Sequence, residues 1–181
     1  QIYIKNILIK NDDFNVNFEF EIQNKPNGIA EAFIIGEEFI QNEDVCLILG
    51  DNLFFNSKSI INKHLKKSSK IFVKKVINPN SYGVLEVYNN APTLIHEKPQ
   101  KFISNFAVVG LYMYNSSVID QVKKLNPSKR GELEITDLNN IYLKSGECDV
   151  VYLEDDSSWF DSGTFDSLLK ASNFVKNYEK L

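Results

Sequence analysis

The chain has 181 residues, 43% hydrophobic and 24% charged, a composition that suits one soluble globular domain over 1–181. Its 20 Lys plus Arg stand against 24 Asp plus Glu, and a net charge of −4 excludes the basic footprint of a protein that wraps nucleic acid. No apolar run approaches the roughly 18 residues of a membrane span and the opening carries no secretory pattern, so the expectation is a cytoplasmic protein with small-molecule or protein partners and no membrane contact.

Residues 1–10 show helical spacing at Ile2, Asn6 and Ile9 without a cap, as if the chain were entered inside an element. A strand is expected over 18–23, then the polar loop Gln23-Asn24-Lys25-Pro26-Asn27-Gly28 and a helix over 28–39. That loop is a generic connection or a base-reading segment: Gln23 offers donor and acceptor, and Gly28 permits close backbone approach. The run 45–49 is continuously apolar, as expected of a strand covered on both faces, and it breaks into Gly50-Asp51-Asn52. Asp51 there either forms the turn or, at the carboxyl edge of a sheet, holds a metal ion beside phosphates.

A helix over 57–68 and a strand over 70–76 lead to the turn Asn78-Pro79-Asn80-Ser81, then Tyr82-Gly83 and a strand over 83–88. After the apolar stretch Thr93 to Ile95, Pro99 keeps Glu97 and Lys98 out of any helix. The pair is a solvated charged turn or a sugar-phosphate grip, the carboxylate accepting hydroxyls and the ammonium neutralising a phosphate. A strand over 107–114, helices over 116–125 and 135–145, and a strand over 148–153 follow. Trp159-Phe160-Asp161-Ser162-Gly163-Thr164 precedes a helix over 164–178, with Thr164 as N-cap and Asp166 in the favourable first turn. Asp161 caps that helix start or is a second metal carboxylate, and Trp159 packs in the core or walls a site. Alternating strands and helices mean α/β. Cys46 and Cys148 lie in apolar stretches without framework spacing and are expected as reduced core thiols.

Taken in order, these segments resemble the glucose-1-phosphate thymidylyltransferase family of sugar nucleotidyltransferases. The matching pieces are the helix beginning Gly28-Ile29-Ala30-Glu31-Ala32-Phe33, the turn Leu49-Gly50-Asp51-Asn52, Tyr82-Gly83-Val84 and Glu97-Lys98-Pro99. Val109-Gly110-Leu111-Tyr112, Arg130-Gly131-Glu132-Leu133-Glu134-Ile135-Thr136-Asp137 and Trp159 to Thr164 complete the set.

The resemblance implies a Rossmann-like nucleotide-diphospho-sugar transferase fold: a mixed, mostly parallel sheet with helices on both faces, here without its first strand or strands. It implies transfer of a thymidylyl group from dTTP to glucose 1-phosphate, giving dTDP-glucose and pyrophosphate, with Mg²⁺ held by Asp51 and Asp161. Lys98 would face the sugar phosphate, and with the two aspartates would form the catalytic set. Gln23 and the backbone of Gly28 would read thymine. Tyr82, Gly83, Glu97 and Val109 would line the glucose pocket, with Asn52 and Trp159 also at the substrate. The family's role in supplying deoxysugars for surface polysaccharide is a further implication.

The family's glycine-rich G-x-G-T-R-L loop, the lysine that follows it and the C-terminal helical extension have no counterpart in these residues. The expectation is therefore a partial domain that is inactive alone and is completed by an N-terminal segment carrying that loop, on the same chain or as a separate partner; the expected partners are dTTP, glucose 1-phosphate and either that segment or further copies in a homo-oligomer. The competing readings are a non-catalytic sugar-nucleotide-binding or regulatory module and a nucleotidyltransferase that uses another base, such as UTP.

Overall fold

The structure, a computed structural model, describes residues 5–8, 16–58, 60 and 64–178. After a helical turn at residues 5–8, the chain forms α1 (Glu31–Ile35), α2 (Glu37–Ile40), β1 (Val45–Ile48), β2 (Asn52–Phe55) and β3 (Ser69–Lys75). Next come β4 (Gly83–Tyr88), β5 (Ala91–Glu97), β6 (Phe106–Tyr114) and α3 (Val118–Val122). The chain continues through α4 (Ile135–Lys144), β7 (Cys148–Tyr152), β8 (Ser158–Asp161) and α5 (Phe165–Tyr178).

The longest apolar run becomes the middle of the sheet, because β6 is buried along most of its length and has neighbours on both edges. The order is β5-β4-β6-β3-β7, with β1 also pairing to the Leu111–Tyr114 end of β6. Among the described residues only β3 and β7 run parallel; the other pairs are antiparallel, so the sheet is mixed and mostly antiparallel, not mostly parallel as expected. The cause is local for β4 and β5. Asn89 and Asn90 both take positive φ, 49° and 59°, the signature of a two-residue hairpin turn, and a hairpin can only be antiparallel.

Alternation along β6 sends its side chains into two cores. Val108, Tyr112 and Tyr114 join Phe33, Val118, Val122, Ile135 and Leu138, so α1, α3 and α4 cover one face of the sheet. Val109 and Leu111 join Phe72 and Leu153 on the other face, against Phe54 and Trp159 of β2 and β8. That second face is thus covered in part by a two-stranded ribbon, where helices on both faces were expected.

Several local expectations are corrected. Residues 18–23 pair with no strand; Phe18 and Ile22 stay exposed, because an alternating pattern makes a strand only where an edge receives it. Residues 57–68 show turns and bends but no helix among those described, and 59 and 61–63 lie outside the described residues, as do 1–4 and 9–10 of the expected opening helix. β1 is covered on one face only: Val45 and Leu47 pack into the first core, while Ile48 is 55% exposed. Cys46 lies on that same open face and is not a core thiol, whereas Cys148 is buried as expected. Burial of the sulfur still pushes the Cys46 thiol up. The helix over 28–39 breaks at Gly36 into α1 and α2.

α5 begins as expected, the Ser167 N–H donating to Thr164 Oγ1 at 3.2 Å. Its apolar residues are largely open, however, with Phe165 94% and Leu169 62% exposed and Ala171 its buried residue. Among the described residues no helix is long and apolar enough to cross a membrane.

Candidate functional site

The turn after β1 is held at both ends. The Leu49 N–H donates to Gly110 O at 2.9 Å, and the Asn52 N–H donates to Leu49 O at 3.0 Å, which reverses the chain into β2. Antiparallel pairing then sets Asn52 opposite Asp161, and the Ser162 N–H donates to Asp51 O at 2.8 Å. Register alone has brought the two candidate carboxylates together.

Between them lies Gly163. A Cβ built there would stand 3.1 Å from Asp51 Oδ2 and 3.2 Å from Asp161 Oδ1, so the missing side chain leaves a gap faced by two carboxylate oxygens. The backbone N–H of Gly163 also donates to Asp161 Oδ1 at 3.1 Å. Two hard oxygen donors with room between them fit Mg²⁺, which takes one or two carboxylates and fills its shell with water and substrate phosphates. Among the described residues no group of three or more His, Cys, Asp or Glu could hold a metal without such help.

Asn52 braces this corner. Its Oδ1 accepts from the Gly110 N–H at 3.0 Å and from the Trp159 Nε1–H at 2.7 Å, and its Nδ2 donates to Asp51 Oδ1 at 2.9 Å. Gly110 must be glycine for this to form, since a Cβ there would come within 2.7 Å of the Asn52 carboxamide. Gly110→Ala should therefore push Asn52 out of place and cost about 2–4 kcal/mol, overpacking plus a lost buried hydrogen bond, read as a fall in the denaturant midpoint. A wild-type midpoint would show that the corner tolerates the methyl group.

Beside the carboxylates opens a cavity of about 160 Å³. Its walls are Tyr82, Gly83, Glu97 and Lys98 from the β4 and β5 ends, Val108, Gly110 and Tyr112 from β6, and Asn52, Trp159 and Asp161 from the β2–β8 ribbon. Ile135, Thr136 and Asn139 close it from α4. Thr136 donates its hydroxyl to Glu97 Oε2 at 2.6 Å, which fixes the carboxylate. The Lys98 N–H donates to Tyr82 O at 3.0 Å, and Lys98 itself takes φ 41°, a left-handed conformation that costs a non-glycine residue about 1–2 kcal/mol. Strain of that kind gathers at functional sites. Tyr82 packs against Trp159 with ring centroids 5.0 Å apart.

The two carboxylates of the lining act on the phenols beside them. Burial and then the charge of Asp161 push the Tyr82 phenol up, and burial and then the charge of Glu97 push Tyr112 far up. Just before the lining residue Ile135, burial raises the Glu134 carboxyl, but hydrogen bonds from Arg130 and Ser128 and the charges of Arg130 and Lys98 leave it below its ordinary value.

Gln23 and Val109 fall outside this lining. Gln23 is exposed, and its Nε2 donates to Gly28 O at 3.0 Å and to Glu31 Oε2 at 2.7 Å. Asn27 Nδ2 donates to the other oxygen of Glu31 at 2.7 Å, and these bonds hold the Glu31 carboxyl below its ordinary value. Gly28, at φ +106°, runs against the backbone of Leu133 so closely that a Cβ would collide with it; next to it Ile29 lines the cavity. Val109 was expected in the glucose pocket, but its side chain points into the second core, and strand alternation gives the cavity Val108 and Gly110 instead. Thr136, Tyr112 and Asn139 were not singled out from sequence. Thr136 and Tyr112 lay inside recognised motifs, but no pattern signals a contact between Thr136 and Glu97.

A family model described as Nucleotidyl transferase matches residues 2–178. The chain belongs to the nucleotidyl transferase family. Within that family it is 41% identical over 184 residues to the Glucose-1-phosphate thymidylyltransferase of Neisseria meningitidis serogroup A, covering 98% of this chain and 63% of that protein. The Mycolicibacterium smegmatis protein of the same name is 42% identical over 179 residues, covering 97% and 62%. The chain thus spans about three fifths of the length of these curated relatives. A solved Bacillus anthracis structure, a candidate Glucose-1-Phosphate Thymidylyltransferase in complex with a sucrose, superposes with a TM-score of 0.82 at 38% identity, covering 94% of this chain and 70% of that one. A UDP-glucose pyrophosphorylase complexed with UDP-glucose, TM-score 0.75 at 22% identity over 96% of this chain and 73% of that one, shares the fold.

Proposed function

We propose that this chain forms the metal-binding and sugar-phosphate-binding part of a glucose-1-phosphate thymidylyltransferase, and that residues 1–181 belong to one nucleotidyltransferase domain. The observation that carries this reading is the convergence of Asp51 and Asp161 on the Gly163 gap beside a cavity that holds both Glu97 and Lys98. In the reaction, a phosphate oxygen of glucose 1-phosphate attacks the α-phosphorus of dTTP. The bond from that phosphorus to the β-phosphate oxygen breaks, and pyrophosphate leaves with the electron pair.

Asp51 and Asp161 would hold Mg²⁺, which when bound neutralises phosphate charge. The Lys98 ammonium offsets the charge of the sugar phosphate, so that two anions can approach each other. Glu97 accepts hydroxyl protons of the glucose, its direction set by Thr136. Tyr82, Gly83 and Trp159 shape the sugar's space, while Val109 supports the wall from beneath. No residue of this chain need form a covalent bond to substrate.

Base choice is assigned to Gln23 and to the backbone of Gly28, which the Gln23–Glu31–Asn27 bonds hold as one unit. Pyrophosphate release with Mg²⁺ and glucose 1-phosphate, measured with dTTP and with UTP on the protein that carries this chain, tests the assignment. dTTP should be preferred, and Gln23→Ala should reduce that preference about tenfold, the worth of about one hydrogen bond. An unchanged ratio would remove Gln23 from base reading, and UTP preferred by the wild type would assign the enzyme to another base.

A further inference from the structure

Asn52 sits where three strands meet: it opens β2, is bonded to β6 and pairs across to β8. Its side chain is buried, and the neighbours decide which end of the amide is which. The Gly110 N–H and the Trp159 Nε1–H can only donate, so the atom between them is the carbonyl oxygen, with both lone pairs used. The NH₂ end therefore faces Asp51 and donates to Oδ1. That leaves Asp51 Oδ2 as the oxygen turned to the Gly163 gap and to Asp161.

We propose that Asn52 is a positioning residue that couples the metal site to the sugar pocket, aiming Asp51 Oδ2 at the cation with one end of its amide and holding the Trp159 indole with the other. The proposal rests on the reading of Asp51 as a Mg²⁺ ligand. A cation held by Oδ2 would fix the Asp51 carboxylate in the orientation in which Oδ1 receives the Asn52 amide. The amide is a rigid plane, so a shift at its NH₂ end is felt at its oxygen and hence at the indole, which packs on Tyr82 in the cavity wall. Such a coupling is reciprocal: the indole's hold on Asn52 must strengthen cation binding by the same factor by which the cation strengthens that hold.

Trp159 is the only tryptophan in the chain, so its emission reports this link directly. The test is titration with Mg²⁺ alone, followed on the same samples by calorimetry and by tryptophan emission. The wild-type chain should show a saturable emission change with the calorimetric midpoint. Asn52→Ala should weaken Mg²⁺ binding about 10- to 100-fold, as loss of a group that orients a metal ligand does, and should leave the indole unresponsive. Trp159→Phe keeps an aromatic ring and deletes the N–H; by reciprocity it should weaken Mg²⁺ by at least about fivefold, and it decides the matter if Asn52→Ala does not fold.

Wild-type affinity in both variants would overturn the proposal. Mg²⁺ heat without an emission change in the wild type would overturn the coupling and leave the metal site standing. No Mg²⁺ binding by the wild type would overturn the metal reading and the coupling together.

Discussion

Asp161→Asn, and separately Asp51→Asn, should lower Mg²⁺-dependent turnover about a thousandfold or more in the enzyme that carries this chain. In the proposed metal site the two carboxylates facing the Gly163 gap would be the charged oxygen donors, and an amide would keep the shape while removing the charge that holds the ion. Loss of one preorganised transition-state contact costs about a hundredfold to a thousandfold, and here the loss also weakens metal binding itself. The fold should survive. An amide oxygen at position 161 can still accept from the Gly163 N–H, and the β2–β8 ladder is made by backbone. Equal far-ultraviolet circular dichroism with lost turnover is the expected pair of results; near-normal turnover in either variant would take that residue out of the metal site.

Glu97→Ala should act on the sugar and not on the nucleotide. Hydrogen bonds to a charged acceptor contribute about 1.5–3 kcal/mol each, so losing two to glucose hydroxyls should lower kcat/KM for glucose 1-phosphate about a hundredfold to ten-thousandfold. KM for dTTP should stay within about twofold, because Glu97 lies at the end of β5 with Thr136 as its partner, away from the Gln23–Glu31 unit. An equal loss for both substrates would mean that Glu97 supports the cavity as a whole.

Much of the sheet could be read from sequence, because β3, β4, β6 and β7 are runs of β-branched and aromatic residues bounded by turn formers. The strands that escaped have physical reasons. β2 and β8 are four residues each and exist because they pair with one another across a long stretch of chain. β5 carries Pro92, which weakens a strand pattern, and its pairing follows from the Asn89-Asn90 turn. Conversely, residues 18–23 alternate well but meet no sheet edge. Sheet direction was misjudged because the Rossmann-like fold implied by the resemblance was expected to be mostly parallel, while the central strands here are joined largely without helices between them.

Individual chemical residues stood out because charged or polar groups at strand ends with Gly or Pro beside them have few structural reasons to be there, as at Asp51, Glu97-Lys98 and Asp161. Their mutual arrangement did not. That Asn52 reaches Gly110 and Trp159, and that Thr136 fixes Glu97, follows from register and packing between distant segments. Val109 shows the opposite error: a residue inside the right motif whose side chain strand alternation turns away from the cavity.

The most direct test of the account is a crystal structure of the protein carrying this chain, grown with glucose 1-phosphate and Mn²⁺ in place of Mg²⁺ and measured for the anomalous signal of manganese. The account predicts a manganese peak bound to Asp51 Oδ2 and Asp161 Oδ1 above Gly163, the glucose ring in the cavity against Glu97, and its phosphate within reach of Lys98. Manganese bound away from the two aspartates, or the sugar phosphate bound outside that cavity, would contradict it.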